Sequence, residues 1–431
     1  MNPQCVRKFR FFRGGQKVHF SRRLLYHKGL MEQRAAEAMR TFFRDRSREV
    51  GFHQVSFTSA SPPENSEHLS KWIEEGHHGT MEWMAKNISK RSDPRQYRPG
   101  THSLVVLTAN YYSSSPHEND PTIGRISRYA WGEDYHLLLG NRLRSLADEA
   151  RHRFPGLSAW STIDTAPILE KAIAAQAGLG WVGKHSNLIN RSIGSWFFLG
   201  EILLDVDLAE PTEPIPDFCG SCTRCIELCP TGAIIKPYVV DSRLCISYLT
   251  IEHRGFIPRE LRPLMGNHIY GCDICQDVCP WNRFARTSPL TEFQPRAGNQ
   301  TPQLTELMEL DEEGFRQRFR KSPIRRPKRR GFLRNVAIAL GNSGDPEAIP
   351  TLTRALQDHE PLIRGHSAWA LGQIGRTSAV KSLEKALAKE THHEVKEEIR
   401  LALNACTSID EETTTFFDEL NPKSPENSPR P

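Results

Sequence analysis

The chain has 431 residues, 38% hydrophobic and 25% charged, enough for several domains with a substantial buried core. That balance argues against a disordered or membrane-embedded class, and no run reaches the ~18 apolar residues of a spanning helix. The net charge of +6 gives no argument for a nucleic-acid partner, because eight Lys/Arg and no acid fall in residues 1–30.

In chain order, residues 1–30 read as a basic extension without fixed structure, or as sequence ahead of a start at Met31. Ser21-Arg22-Arg23-Leu24-Leu25 has the look of a twin-arginine signal, but Tyr26-His27-Lys28-Gly29 stands where an apolar stretch should follow. A cytoplasmic location is therefore expected. A charged helical pattern runs from Met31 to about Arg48. Residues 51–57 alternate like a strand, residues 103–109 read as a buried strand, and residues 195–206 as one or two strands. Helices are predicted over residues 136–151 and 167–177. The alternation makes residues 31–207 an α/β domain. Pro211, Pro214 and Pro216 mark a linker into a cysteine-rich domain over residues 208–300. Residues 301–408 hold a basic run and then repeats: Arg334-Asn335-Val336-Ala337-Ile338-Ala339-Leu340-Gly341 recurs around Ala370-Leu371-Gly372. Two helices per repeat at this short period predict a HEAT-like α-solenoid. Residues 409–431 are acidic and rich in Thr, Ser and Pro, and read as a disordered tail.

Eight of the ten cysteines carry the strongest chemical signal. Cys219-x2-Cys222-x2-Cys225-x3-Cys229-Pro230 is a bacterial ferredoxin run for a [4Fe–4S] cluster. Cys272-x2-Cys275-x3-Cys279-Pro280 repeats its second half, with Cys245 as the missing member. Each iron of the cube needs one thiolate, and the short spacings let one loop reach three of them. Zinc would need only four ligands, and disulfides do not suit a chain without an export signal. Two-cluster ferredoxins cross-ligate, which assigns Cys219, Cys222, Cys225 and Cys279 to one cluster and Cys229, Cys245, Cys272 and Cys275 to the other. Cys5 and Cys406 remain plain thiols.

Clusters pass single electrons and choose no substrate. No Gly-x-Gly-x-x-Gly turn follows a strand, and the P-loop-like run ending in Lys184-His185 lacks the magnesium-binding Ser/Thr, so electrons must come from an external donor; a carrier of flavodoxin or ferredoxin type is expected. Asp134-Tyr135-His136-Leu137-Leu138-Leu139-Gly140 is one residue too long for the Asp-x-His-x-x-Gly signature of histidine-ligated cobalamin. Considered alone, His136 reads as a first-turn helix residue.

Several long segments, in order, carry a resemblance: Ser127-Arg128-Tyr129-Ala130-Trp131-Gly132-Glu133-Asp134-Tyr135-His136, Asp164-Thr165-Ala166-Pro167, Ala177-Gly178-Leu179-Gly180-Trp181-Val182-Gly183-Lys184, Cys245-Ile246-Ser247-Tyr248-Leu249-Thr250-Ile251-Glu252 and Gly271-Cys272-Asp273-Ile274-Cys275-Gln276-Asp277-Val278-Cys279-Pro280-Trp281-Asn282. Together they resemble the epoxyqueuosine reductase family over roughly residues 31–405. The resemblance implies a nitroreductase-like α/β domain binding cobalamin without a histidine lower ligand, a ferredoxin-like domain with two [4Fe–4S] clusters, and reduction of epoxyqueuosine to queuosine at the tRNA wobble position. It also implies Asp164 as proton donor and cofactor contact, with Asn87, Ser127, Ser247 and Asp273 lining the cobalamin and Asp134 and Tyr135 near the modified base. A tRNA partner makes Arg325, Arg326, Lys328, Arg329 and Arg330 candidate phosphate contacts, with Arg254 beside them. A monomer is expected. The competing readings are a soluble reductive dehalogenase, which would have no use for a basic run and repeats, and an electron-transfer module docked through its repeats to another enzyme.

Overall fold

The computed structural model describes residues 15–420, with side chains over residues 31–406. Its N-terminal half is built on an antiparallel sheet of β1 (Gln54–Ser59), β2 (Ser103–Asn110), β3 (Ala159–Thr162) and β4 (Phe197–Leu204), ordered β1-β2-β4-β3. The unbroken apolar run of β2 follows from its inner position, where all eight residues are buried. Alternate residues serve opposite faces. Val105, Leu107 and Ala109 meet α1 (Gly15–Glu49) and α2 (Tyr135–Arg153), while Leu104 and Val106 meet α3 (Glu170–Gln176). The same period on β4 sends Ile202 and Leu204 to the first face and Leu203, with Glu201, to the second.

Three expectations shift. The backbone of α1 begins at Gly15, where an unstructured extension was expected. Residues 15–30 contain no proline and many good helix formers, which outweigh the single interior Gly29. Residues 1–14, with Cys5, lie outside the described residues. The edge strand β3 went unread because it is four residues long and shows no apolar alternation, with Trp160 46% exposed. Finally, α3 starts at Glu170 instead of residue 167. Asp164 sits at φ +49° and the Ile168 N–H closes a tight turn onto the Ala166 carbonyl, so the chain is still turning where the helix was predicted.

The C-terminal half is a right-through stack of α4 (Lys328–Ser343), α5 (Ile349–Ala355), α6 (Pro361–Ile374), α7 (Thr377–Leu387) and α8 (His393–Leu420). The expected tail therefore begins as helix, and residues 421–431 lie outside the described residues. The recurring glycine has a packing reason. A Cβ on Gly341 would stand 2.8 Å from the Ala370 Cα, and one on Gly372 2.8 Å from the Ala402 Cα, so each helix lies backbone-close against the next. The solenoid is not a separate lobe. Phe332, Leu333 and Val336 share one core with Tyr248, Leu249, Ile269 and Tyr270 of the cysteine-rich part. Arg334, which continues the basic run in sequence, is fully buried and donates to the carbonyls of Leu249, His253 and Gly255. Asn335 beside it donates to Thr250 and Ile269. Among the described residues no helix is long and apolar enough to cross a membrane.

Candidate functional site

The loop between β3 and α3 places Asp164 in the left-handed region, a conformation rare outside glycine but tolerated by Asp. Tyr135, at the start of α2, donates its hydroxyl to Asp164 Oδ2, and His136 Nε2 stands 3.5 Å from the same atom. His136 Nδ1 lies 2.8 Å from Asp134 Oδ1, and Asp134 caps α2 by accepting the His136 N–H. Behind the loop, Glu170 accepts the Asp164 N–H at 2.7 Å. Glu201 reaches the same region from β4; it is fully buried and neither of its oxygens meets a geometrically sound donor.

These groups settle each other's charge. Burial pushes Glu201 far above the usual carboxylate range, reinforced by Glu170. Burial and the Asp164 charge push Glu170 up to about 8. Burial would raise Asp164 as well, but the bonds from His136 and Tyr135 win and hold it below its ordinary value. Burial would lower His136, yet its bonds to Asp134 and Asp164 lift it to about 9. At neutral pH Asp164 is thus an anion ringed by three proton carriers: Tyr135, the His136 imidazolium and the Glu170 carboxyl. The side chain of Asp164 keeps 57% of its surface open, although its charge is strongly desolvated. A group both reachable and desolvated sits in a recess open to a ligand.

The eight cluster-type cysteines sort into two sets. Cys219, Cys222, Cys225 and Cys279 line one cavity of about 220 Å³. The charge on Cys225 is felt together with those of Cys219, Cys279 and Cys222. Cys272 is coupled in the same way to Cys245 and Cys229, and Cys275 to Cys272 and Cys245. Cys275 also feels Cys225, so the two sets adjoin. Lys171, next to Glu170 on α3, feels both Cys275 and Cys245, which sets the second group beside the recess. Both sets offer the thiolate donors that a [4Fe–4S] cube takes.

Three family models match: "Epoxyqueuosine reductase QueG, DUF1730" over residues 91–165, "4Fe-4S double cluster binding domain" over 218–282 and "HEAT repeats" over 329–404. The chain is 44% identical over 329 residues to the epoxyqueuosine reductase of Escherichia coli K12, covering 75% of this chain and 86% of that one. It is also 44% identical to that of Pseudomonas aeruginosa, covering 78% and 94%. The chain belongs to the epoxyqueuosine reductase family. Among solved structures, an epoxyqueuosine reductase crystallised with an epoxyqueuosine-modified tRNA-Tyr stem loop superposes with a TM-score of 0.81 at 31% identity, covering 86% of this chain and all of that one. The Bacillus subtilis enzyme, with a catalytic loop swung out of its active site, gives 0.80 at 31% identity, covering 86% and 99%.

In this epoxyqueuosine reductase the remaining candidates separate into free and engaged groups. Asn87, at φ +61°, is exposed and makes no capping bond with its side chain, and Ser247 follows Cys245 on a short helix with its side chain half-open. Ser127 and Asp273 bond each other at 2.5 Å, and Asp273 also accepts the Arg128 N–H at 2.8 Å. They clamp the α/β domain to the second cysteine set. Of the basic run, Arg325, Arg326 and Lys328 are exposed and Arg330 is half-buried. Arg329 is buried, paired with Asp358 and bonded to the Leu310 carbonyl, so it is a structural clip and not a phosphate contact. Arg254 donates to the Arg326 carbonyl at 3.0 Å, while Arg326 forks onto Glu252 at 2.9 and 3.0 Å. The segment leading into this patch is tied to the recess: the Asp134 N–H donates to the Lys321 carbonyl and the Tyr270 hydroxyl to that of Pro323. Arg326 in turn feels the charge of Asp164. Glu170, Lys171 and Glu201 were missed in the sequence. The one signal for Glu201 was a lone charge inside the apolar run 196–204.

Proposed function

We propose that this protein reduces epoxyqueuosine in tRNA to queuosine, with electrons passing singly from an external flavodoxin- or ferredoxin-type donor through two [4Fe–4S] clusters to a cobalamin in the Asp164 recess. The supporting observation is that one strap, residues 321–326, joins a recess of proton carriers to an exposed patch of Arg254, Arg325, Arg326 and Lys328, with the half-buried Arg330 beside it. Cys219, Cys222, Cys225 and Cys279 hold one cluster, and Cys229, Cys245, Cys272 and Cys275 the other. Asn87 and Ser247 face the cofactor. When bound, cobalamin supplies low-potential electrons to the substrate carbon.

The net reaction takes the epoxide, two electrons and two protons to an alkene and water. The chain's own part is proton supply and placement. Asp164 is ionised at rest, so it serves as the final carrier: it takes a proton from His136 Nε2 and passes it to the departing oxygen, while the Tyr135 hydroxyl, whose proton burial and the Asp164 charge hold fast, orients the carboxylate. Tyr135, stacked between His136 and Phe198 at 4.0 and 4.2 Å between ring centres, is held rigid for that task. The basic patch fixes the RNA backbone without reading sequence. A monomer working in the cytoplasm fits this chemistry.

The test is anaerobic single turnover on epoxyqueuosine-containing tRNA with iron and cobalt counted in the same sample. Close to eight irons and one cobalt, with queuosine formed, are expected. Queuosine formed without cobalt would remove cobalamin from the scheme, and four irons would remove one cluster.

A further inference from the structure

The two cysteine sets differ in how they meet the surface. The second adjoins Lys171 and the recess, whereas the cavity of Cys219, Cys222, Cys225 and Cys279 carries Lys184, Arg224, Phe218, Trp281 and Arg283 on its wall and no carboxylate. The rim has exposed apolar groups, with Phe218 at 36% and Phe284, packed on Trp281, at 40%. Its cations are held in place on aromatic faces. Arg191 lies 4.5 Å over Phe218 and Arg283 4.6 Å over Phe284. Among the described residues, Arg191, Arg224 and Arg283 enter no ion pair, and the carboxylates of Asp217 and Glu227 bond hydroxyls instead of these arginines. Asp217 accepts the Tyr238 hydroxyl and Glu227 that of Thr223. The Trp281 indole N–H donates to the Phe218 carbonyl at 3.2 Å, binding the rim's two halves together.

We infer that this cation-ringed apolar rim is the docking surface of a small acidic one-electron carrier protein, which delivers electrons to the outer cluster. The inference rests on the reading that those four cysteines hold a cluster. Charge complementarity selects the partner. Unpaired arginines around an apolar centre draw an acidic surface, and a contact of modest size suits a carrier that must leave after each electron. The path is one-way in space: carrier, outer cluster, inner cluster, recess. One electron leaves the carrier and one enters the cluster per encounter, two encounters serving each epoxide.

The experiment uses the holoenzyme, reduced flavodoxin as the acidic probe and dithionite as a small reductant that needs no docking face. In R191Q the second-order rate of cluster reduction by flavodoxin should fall severalfold at low salt, within the usual range of electrostatic steering, and lose part of its salt dependence. Dithionite-driven turnover should stay at the parent rate. A flavodoxin rate that is unchanged would overturn the proposal. So would a parallel loss with dithionite, which would place the arginine's effect on the cluster itself. An iron count that Cys222→Ala leaves at the parent value would instead remove the underlying reading, and the docking surface with it.

Discussion

At the scale of single residues, the site works through the ordering of proton affinities around one anion. Asp164→Asn keeps the shape but cannot carry a proton, so single turnover should slow by ~10²–10⁴ while the cluster and cobalamin spectra persist. His136 adds a pH signature. Its imidazolium is the charged partner of Asp164 and loses its proton near pH 9, so the rate should fall on the alkaline side with a midpoint near there. His136→Gln should erase that limb of the profile, and its survival would assign it to the Glu170 carboxyl, which burial and the Asp164 charge raise to about 8. Glu201 gives a stability signature of the opposite kind. Its folded-state pKa lies above the unfolded value, so over the range between them the unfolded chain has released a proton that the folded chain retains. Stability is therefore lost as pH rises through that range. Glu201→Gln should raise the melting temperature at pH 8 and leave it unchanged at pH 4. Part of this was legible beforehand. Asp164, Tyr135 and His136 stood in recognisable segments, but the three-carboxylate crowding needs β4 and α3 to be brought together, and no spacing along the chain encodes that.

At the scale of elements, sequence pattern served best where one period dominates. The continuous apolar run of β2 and the repeating Ala-Leu-Gly of the solenoid both announced themselves, for a central strand and a close helix contact respectively. The glycine carries a quantitative expectation. Gly372→Val forces a branched side chain against the Ala402 backbone, and overpacking of that kind costs about 1–3 kcal/mol. Thermal unfolding of the variant should shift down accordingly, whereas Gly344→Ala, in open space at a helix end but at φ +65°, should show only the smaller conformational strain. The start of α3 was misplaced because a proline suggested a first turn, while the deciding feature was the backbone of Asp164. The basic run illustrates the opposite limit. Composition treats Arg326, Arg329 and Arg334 alike, but Arg326 stands ahead of α4 and is exposed, while helix geometry turns Arg329 and Arg334 inward.

For the whole molecule, that division predicts two distinct phenotypes from one stretch of charge. Neutralising Arg325, Arg326, Lys328 and Arg330 should weaken tRNA binding and flatten its dependence on salt, each lost phosphate contact removing a slope of roughly 0.7–0.9 in log K against log salt. Arg329→Ala should leave that slope alone and lower thermal stability, because Asp358, 11% exposed, would lose its partner. A binding isotherm at several salt concentrations, paired with a melt, separates the two. The shared core of solenoid and cysteine-rich part also means that deleting the repeats should not yield a trimmed enzyme. It would expose Tyr248, Leu249 and Ile269, and insoluble protein is the expected result.

The strap of residues 321–326 has a mechanical consequence. Fastened at Lys321 to the head of α2 and at Pro323 to Tyr270, it acts as a fixed gauge between the patch that grips and the recess that reacts. A ligand is then measured by length before it is read by chemistry. An RNA whose phosphates engage the patch but whose modified base falls one nucleotide short of the recess would be held tightly and left unreacted.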